Sequence, residues 1–95
     1  MHATLGRYDR VSASSDEVIR VGRQLAAVLS QAPGFVSYAL LDMGDGVLTT
    51  VSIFETEAEL EEADRLTAAW VAAHPTPLTP PTEAVSGEIL VQKGM

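Results

Sequence analysis

Two apolar runs flank a glycine-rich turn in the middle of the chain, and neither run has a polar face. Side chains in a β-strand point alternately to its two faces. In the first run one face carries Phe35, Ser37, Ala39, Leu41 and Met43, and the other carries Val36, Tyr38, Leu40 and Asp42. In the second run one face carries Val47, Thr49, Val51 and Ile53, and the other carries Leu48, Thr50, Ser52 and Phe54. The pattern predicts a β-hairpin over 33–55, with its turn at 43–46 and both faces apolar.

This apolarity on both faces predicts a homodimer. A hairpin in a small antiparallel sheet usually buries one face and leaves the other in water. A sheet that is apolar on both faces needs a cover on each side, and the chain has helices enough for one. The simplest second cover is the same sheet from a second copy of the chain. We therefore expect two sheets to pack face to face.

Two capping boxes predict where the helices begin. Ser14 with Glu17 and Thr56 with Glu59 have the spacing in which a side-chain oxygen satisfies a free N–H group of the first turn. The first helix is expected to run to about residue 31 and the second to about residue 74. Their inner faces carry Val18, Val21, Gly22, Leu25, Val28, Leu29 and Ala32 in the first helix, and Leu60, Ala63, Thr67, Trp70, Val71 and His74 in the second. Gly22 in this stripe suggests a close approach of helix to sheet.

Two weaker strand patterns and a proline-rich loop complete the chain. A first strand is predicted over 3–11, with Thr4, Gly6 and Tyr8 on one face, and a last strand over 84–91. Four prolines between 75 and 81 predict a stiff, ordered loop that borders a ligand site on the second helix. The order β-α-β-β-α-β predicts one α+β domain over 1–95, with the ferredoxin-like split βαβ topology.

Composition narrows the possible partners. The 95 residues include thirteen acidic and six basic side chains, which gives a net charge of −7. Such a charge repels phosphate groups, so we expect no nucleic acid and no membrane as partner. The absence of cysteine excludes disulfides and thiolate metal sites. Because the sequence shows neither a long apolar run nor a secretory signal, we expect a cytoplasmic protein, and its arginine and alanine content suggests a bacterial one.

Four short segments, spread over nearly the whole chain, together carry a resemblance to a known family. They are Ala32-Pro-Gly-Phe-Val-Ser-Tyr, Val51-Ser-Ile-Phe-Glu, Ala68-Ala-Trp-Val and Ser86-Gly-Glu-Ile-Leu-Val. Together they resemble the antibiotic biosynthesis monooxygenase (ABM) domain family. The resemblance implies a dimeric α/β barrel with a pocket between the helices and the sheet of each subunit. In such enzymes a small aromatic or polycyclic substrate reacts with oxygen without metal or flavin, so no cofactor is implied. A related branch binds and degrades haem.

The resemblance carries over one residue directly. Trp70 stands where the family's enzymes place a pocket tryptophan against the substrate ring, although an indole on an inner helical face is equally well explained as core. The enzymes have an asparagine one turn earlier, where this chain has Leu66, and the sequence contains no asparagine. The tyrosine and arginine that follow the tryptophan in those enzymes have no counterpart after Trp70. We therefore expect a real cavity that binds a ligand, and we expect the oxidation of anthrone-type substrates to be slow or absent.

Three further residues are candidates for catalysis. His74, one turn after Trp70, is expected to cap the helix C-terminus, and the alternatives are a pocket acid or base and a haem ligand. Tyr38 and Arg7 are candidate donors to an oxyanion in a helix-side cavity. Tyr38 is also explained as a core or dimer-interface residue, and Arg7 as the partner of a Glu or Asp on a neighbouring strand. Since both sheet faces are apolar, the pattern leaves their faces open. The acids of the second helix fit a solvated helix N-terminus, so no metal site is predicted.

The leading functional prediction is a homodimer that binds a small aromatic or polycyclic ligand between helices and sheet, as a cofactor-independent monooxygenase if it is catalytic. One alternative is a non-catalytic dimeric module that binds a ligand or has a regulatory role. Another is a haem-binding protein.

Overall fold

The computed structural model describes residues 1–74 and 81–94 and confirms the predicted order of elements. The strands and helices are β1 (His2–Tyr8), α1 (Ser15–Leu29), β2 (Phe35–Gly44), β3 (Val47–Phe54), α2 (Glu57–Ala73) and β4 (Glu83–Glu88). The four strands form one antiparallel sheet in the order β2-β3-β1-β4. This is the predicted ferredoxin-like α+β fold. Neither α1 nor α2 has the length and apolarity needed to cross a bilayer.

Both helices begin where the capping boxes predict. The Oγ atom of Ser14 accepts a hydrogen bond from the backbone N–H of Glu17 at 3.3 Å. The Oγ1 atom of Thr56 accepts one from the N–H of Glu59 at 3.2 Å. Each bond satisfies an N–H group that has no partner within the helix. Each helix therefore starts one residue after its cap.

Both helices pack on one face of the sheet, which we call the helix face. Two clusters of buried side chains lie there. The first contains Tyr8, Val18, Val21, Leu25 and Leu48, and the second contains Leu29, Phe54, Leu60 and Ala63. Phe54 is fully buried and meets the ring of Phe35 edge to face, with the ring centroids 5.8 Å apart. α1 contributes to both clusters and α2 to the second, so the two helices cover this face together.

The opposite face, which we call the open face, has no cover from any helix in the described part of the chain. Its central row runs straight across the four strands, because Val85 pairs with Leu5, Leu5 with Val51, and Val51 with Ala39. Leu5 is 45% exposed and Val85 is 51% exposed. A row of four apolar side chains at the surface of a sheet is what the two-faced pattern of the hairpin predicts.

A β-bulge corrects one detail of the predicted hairpin. Strict alternation places Phe35 on the same face as Ser37, but the pairing with β3 shifts between these two residues. Phe35 pairs with Phe54 and lies on the helix face, whereas Ser37 pairs with Ile53 and lies on the open face. The bulge places the two phenylalanine rings against each other.

Two strands are shorter than predicted, each for a local reason. β1 ends at Tyr8 and not at residue 11, because Arg10 adopts a left-handed backbone conformation with φ of 58°. β4 ends at Glu88 and not at residue 91, because Glu88 already pairs with His2 at the start of β1. One further hydrogen bond joins the N–H of Ile89 to the carbonyl of Met1, just beyond the last pair of strand residues. Residues 75–80 of the predicted proline-rich loop lie outside the described residues.

α1 comes close to β2 at Gly22, as the sequence suggested. A Cβ atom placed on Gly22 would lie 2.8 Å from Cδ2 of Leu40. Leu40 lies on the helix face of the sheet, opposite Gly22, and packs against the first core cluster. The glycine therefore leaves the space that the leucine side chain occupies.

Replacing Gly22 by valine is expected to lower the free energy of unfolding by about 1 to 3 kcal/mol, because the added methyl groups overpack the contact with Leu40. Ala27→Val is the matched control, since it introduces the same branched residue on the exposed side of α1. Urea denaturation of both variants measures the difference. Equal stability of the two variants would contradict the close approach.

Candidate functional site

A cavity of about 540 Å³ lies between α2 and the helix face of the sheet, with lining residues from all four strands. Its floor is the helix face of the sheet, including Thr4 and Gly6 of β1 and Thr50 of β3. Its roof is α2, with Thr67 and Val71 among the lining residues. The cavity therefore occupies the position, between helix and sheet, in which the sequence resemblance implies a ligand pocket.

Small side chains on both walls explain why this space is not filled. The sheet contributes Gly6 and Ala84, which face each other across β1 and β4. The helix contributes Ala68 and Ala72, which lie one turn apart on α2. Where two facing elements both carry small residues, they cannot meet at the density of a normal core. The composition of α2 and β4 thus opens the cavity.

Hydroxyl groups form a line across the floor, which we call the hydroxyl row. It consists of Ser86, Thr4, Ser52 and Tyr38, one from each strand. Thr4 pairs with Ser86 on one side and with Ser52 on the other, and Ser52 pairs with Tyr38. All four residues line the cavity. The helix face is therefore apolar in its two core clusters and carries a line of hydroxyl groups on the floor of the cavity.

Tyr38 ends the hydroxyl row with an unsatisfied group. Its hydroxyl oxygen is buried and has no hydrogen-bond partner among the described residues. Burial raises the pKa of Tyr38 to about 12, and the neighbouring Tyr8 adds to this shift. Tyr38 therefore keeps its proton at physiological pH and acts as a neutral O–H donor. A buried donor without a partner costs about 1 to 3 kcal/mol, which makes Tyr38 a strong candidate for contact with a ligand.

Asp64, on α2, lies beside Thr4, the second residue of the row, and accepts a hydrogen bond from it. The Thr4 hydroxyl donates to Oδ2 of Asp64 at 3.2 Å, and it also lies 2.9 Å from the Ser86 hydroxyl. Since the Thr4 proton is used toward Asp64, Ser86 must donate to Thr4. Burial raises the pKa of Asp64, the bond from Thr4 lowers it, and the nearby charge of Glu61 raises it. The chain of donors thus ends on a carboxylate at the rim of the cavity.

Trp70 and His74 pack against each other at the end of α2. Their rings are stacked, with centroids 4.4 Å apart and planes 15° from parallel. Nδ1 of His74 lies 2.8 Å from the backbone carbonyl of Trp70. Because a carbonyl can only accept, Nδ1 donates this hydrogen bond, and in the neutral form of the ring Nε2 keeps a lone pair. The imidazole therefore interacts with a carbonyl of the last helical turn.

The two aromatic residues differ in their relation to the cavity. His74 is among the residues that line it. Trp70, like Tyr38 and Leu40, packs against the first core cluster. The indole therefore joins the core to the stacked ring of His74.

Arg7 lies on the open face, on the opposite side of the sheet from the cavity. It pairs with Thr49 and Glu83, which share that face. Its Nε donates to Oδ1 of Asp9 at 2.8 Å, and this hydrogen bond raises the pKa of the guanidinium. The structure therefore brings Tyr38 and His74 to the cavity. It places Arg7 in an ion pair, but the partner is Asp9, two residues along the same segment, and not an acid on a neighbouring strand as the alternative expected.

Sequence reasoning missed Asp64 and most of the hydroxyl row. Alternation placed Thr4 with Gly6 and Tyr8, and Ser52 with Thr50, on common faces, so part of the signal was visible. The missing information was the register of β1 between β3 and β4, which connects residues far apart in sequence. Asp64 was grouped with the solvated acids of α2, although its position beside Ala63 and Thr67 places it at the edge of the inner stripe.

Known structures share the fold over almost the whole chain. A single-residue mutant of SnoaB, a cofactor-independent oxygenase from Streptomyces nogalater, is 18% identical, with a TM-score of 0.71 over 96% of this chain and 94% of that one. The heme-degrader MhuD from Mycobacterium tuberculosis, with two hemes bound in its active site, is 18% identical, with a TM-score of 0.67 over 98% of each chain. A putative antibiotic biosynthesis monooxygenase from Chloroflexus aurantiacus is 13% identical, with a TM-score of 0.70 over 98% of this chain and 96% of that one.

No protein-family model and no curated protein matches the sequence significantly. The similar structures are 11 to 18% identical to this chain, and their structural match establishes a common fold. The resemblance noted in the sequence is thus confirmed in three dimensions: the chain has the fold of the antibiotic biosynthesis monooxygenase domain.

Proposed function

We propose that the protein is a homodimer that binds a small aromatic or polycyclic ligand in the cavity between α2 and the sheet. The observation that carries this proposal is the buried, unpartnered hydroxyl of Tyr38 in a cavity of about 540 Å³. The volume falls within the range of small-molecule sites, which is about 300 to 1,000 Å³. Val71 and Ala68 supply apolar contacts for a ring system, and Tyr38 supplies a directed hydrogen bond.

The open face supports the homodimer. Its central row of Val85, Leu5, Val51 and Ala39 is apolar and has no cover from the described residues. Arg7, Asp9 and Glu83 lie at one end of this face, as a polar rim does at the edge of an interface. Because the row is apolar across all four strands, the same row of a second copy is a complementary surface. Two copies then bury their open faces together and leave their cavities on the outside.

A cofactor-independent oxygenase reaction is the second candidate function. His74 lines the cavity, and its Nε2 lone pair can accept a proton from a bound phenol or anthrone. Loss of that proton makes the ring electron-rich enough to react with O₂. For an anthrone the overall change converts a CH₂ group to a carbonyl and releases water. SnoaB, which shares the fold, is described as a cofactor-independent oxygenase.

Haem binding, the alternative implied by the family resemblance, fits the cavity less well. The carboxylate of Asp64 lies at its rim, and the described lining includes no lysine or arginine. Haem carries two propionates, which would meet a negative charge without a compensating cation. MhuD, which has the same fold, binds two hemes in its active site. The fold itself therefore accepts haem, and the poorer fit of this cavity comes from its side chains.

Leu5→Glu is expected to convert the dimer to monomers, because a charge in the middle of the apolar row costs several kcal/mol to bury without a partner. Ile19→Glu is the matched control, since Ile19 is 47% exposed on α1 and Leu5 is 45% exposed on the open face. Sedimentation equilibrium should give twice the chain mass for the wild type and for Ile19→Glu, and the chain mass for Leu5→Glu. A wild-type protein that sediments as a compact monomer would overturn the dimer.

Tyr38→Phe is expected to stabilise the unliganded protein by about 1 kcal/mol, because it removes a buried hydroxyl that has no partner. The same change should weaken the binding of anthrone about fivefold, which corresponds to one lost neutral hydrogen bond. Tyr8→Phe is the control, since the hydroxyl of Tyr8 is not among the buried unpartnered atoms. Thermal melts with and without anthrone measure both effects. Lower stability together with unchanged binding would contradict the proposed contact.

Oxygen uptake in the presence of anthrone is expected to stay close to the rate without protein, because Leu66 replaces the asparagine of the family's enzymes. An oxygen electrode gives this rate, and absorbance of the quinone product confirms it. Rapid uptake that is lost in His74→Ala would establish the oxygenase and show that His74 is its base. Rapid uptake that His74→Ala leaves unchanged would show an oxygenase with a different base.

A further inference from the structure

The hydroxyl row has a direction. Ser86 donates to Thr4, and Thr4 donates to Asp64, so the row ends on an acceptor. A carboxylate can accept about four hydrogen bonds, and the described residues supply one of them to Asp64. The oxygen of Ser86 also keeps acceptor capacity, because its proton is used toward Thr4. At this end the cavity wall therefore offers acceptors to whatever binds.

The opposite end of the row offers a donor. Tyr38 stays protonated, and its O–H has no partner among the described residues. Two strand spacings separate Thr4, which donates to Asp64, from Tyr38, which is roughly 10 Å between backbones. An elongated ring system that lies along the row therefore meets an acceptor group at one end and a donor group at the other.

The charge near the cavity favours one class of ligand. The carboxyl group of Asp64 lines the cavity, and Glu61 lies on the same helix, where its charge raises the pKa of Asp64. No lysine or arginine is among the described residues that line the cavity. The net charge of the chain is −7. An anionic group beside Asp64 would be repelled, whereas a phenol or an ammonium group would form a charge-assisted hydrogen bond with it.

We propose that the cavity selects an elongated aromatic ligand that presents a neutral or cationic hydrogen-bond donor to Asp64 and a carbonyl or ether oxygen to Tyr38. This inference rests on the proposed ligand-binding function and adds the chemical class and the orientation of the ligand. Asp64 is the residue that determines specificity, and it does so through its charge and its free acceptor positions. Thr4 positions the carboxylate by the hydrogen bond that it donates.

A set of four naphthalenes with one variable substituent tests the proposal. The probes are 2-naphthylmethylamine, 2-naphthol, 2-methoxynaphthalene and 2-naphthoate, which at pH 7.5 are a cation, a neutral donor, a neutral compound without a donor, and an anion. Titration calorimetry on the wild-type protein should rank them in that order of affinity. We expect the amine to bind about tenfold or more tightly than the naphthoate, as for one charge-assisted hydrogen bond. Added salt should reduce this ratio, because exposed charges are screened.

Two variants with the same change in net charge separate a local from a general effect. Asp64→Asn keeps the shape and an acceptor for Thr4 but removes the charge, and it should abolish most of the preference for the amine over the naphthoate. Glu61→Gln removes a charge one turn away on the same helix from a residue outside the cavity lining, and it should keep the preference. Binding of 2-methoxynaphthalene should be nearly equal in all three proteins, since it neither donates to Asp64 nor carries a charge.

The outcomes distinguish this inference from the proposed function. If all four probes bind with equal affinity, or if Asp64→Asn keeps the wild-type ranking, the assignment of Asp64 is wrong while ligand binding stands. If Glu61→Gln and Asp64→Asn reduce the preference equally, the selectivity comes from the overall charge and the assignment is wrong. If none of the probes binds to the folded wild-type protein, the proposed function fails, and this inference fails with it.

Discussion

The sheet has two apolar faces, and the helices of the chain can cover one of them. This imbalance governs the other features of the molecule. On the helix face, α1 and α2 bury Phe54, Leu25 and Leu60 almost completely. On the open face, a row of apolar side chains crosses all four strands. A chain of 95 residues has too little volume to bury both faces alone, since small domains hide a smaller share of their surface than large ones.

The cavity shows a second departure from dense packing, on the covered face. The two core clusters hold the helices on the sheet, and of their buried residues only Tyr8 and Leu25 also line the cavity. The rest of the lining is therefore free to carry groups that a core would exclude, such as the buried hydroxyl of Tyr38. This separation of support from site allows one fold to accept different side chains around the same space, in keeping with the different activities named for SnoaB and MhuD.

The sequence predicted those features that depend on residues close together along the chain. Capping boxes, the positive φ values of the hairpin turn and the helical stripes are local, and the structure has them where the pattern indicated. The site depends on register and on the angle of α2, which the one-dimensional pattern does not contain. Alternation alone could not decide between the faces for Tyr38 and Arg7, because both faces are apolar. It also could not show that Thr4 and Asp64, sixty residues apart, share a hydrogen bond.

The bulge at the start of β2 links the core to the site. Phe35 and Tyr38 are three residues apart, so in a regular strand they would point to opposite faces. The extra residue, Val36, lets both lie on the helix face, one in the second core cluster and the other in the cavity. A regular strand of the same length would force a choice between them, because alternation would then place either the phenylalanine or the tyrosine on the open face. The bulge is thus what keeps both rings on the helix face, and a variant that keeps every residue but pairs with β3 without the bulge would lose either the contact between Phe35 and Phe54 or the donor in the cavity.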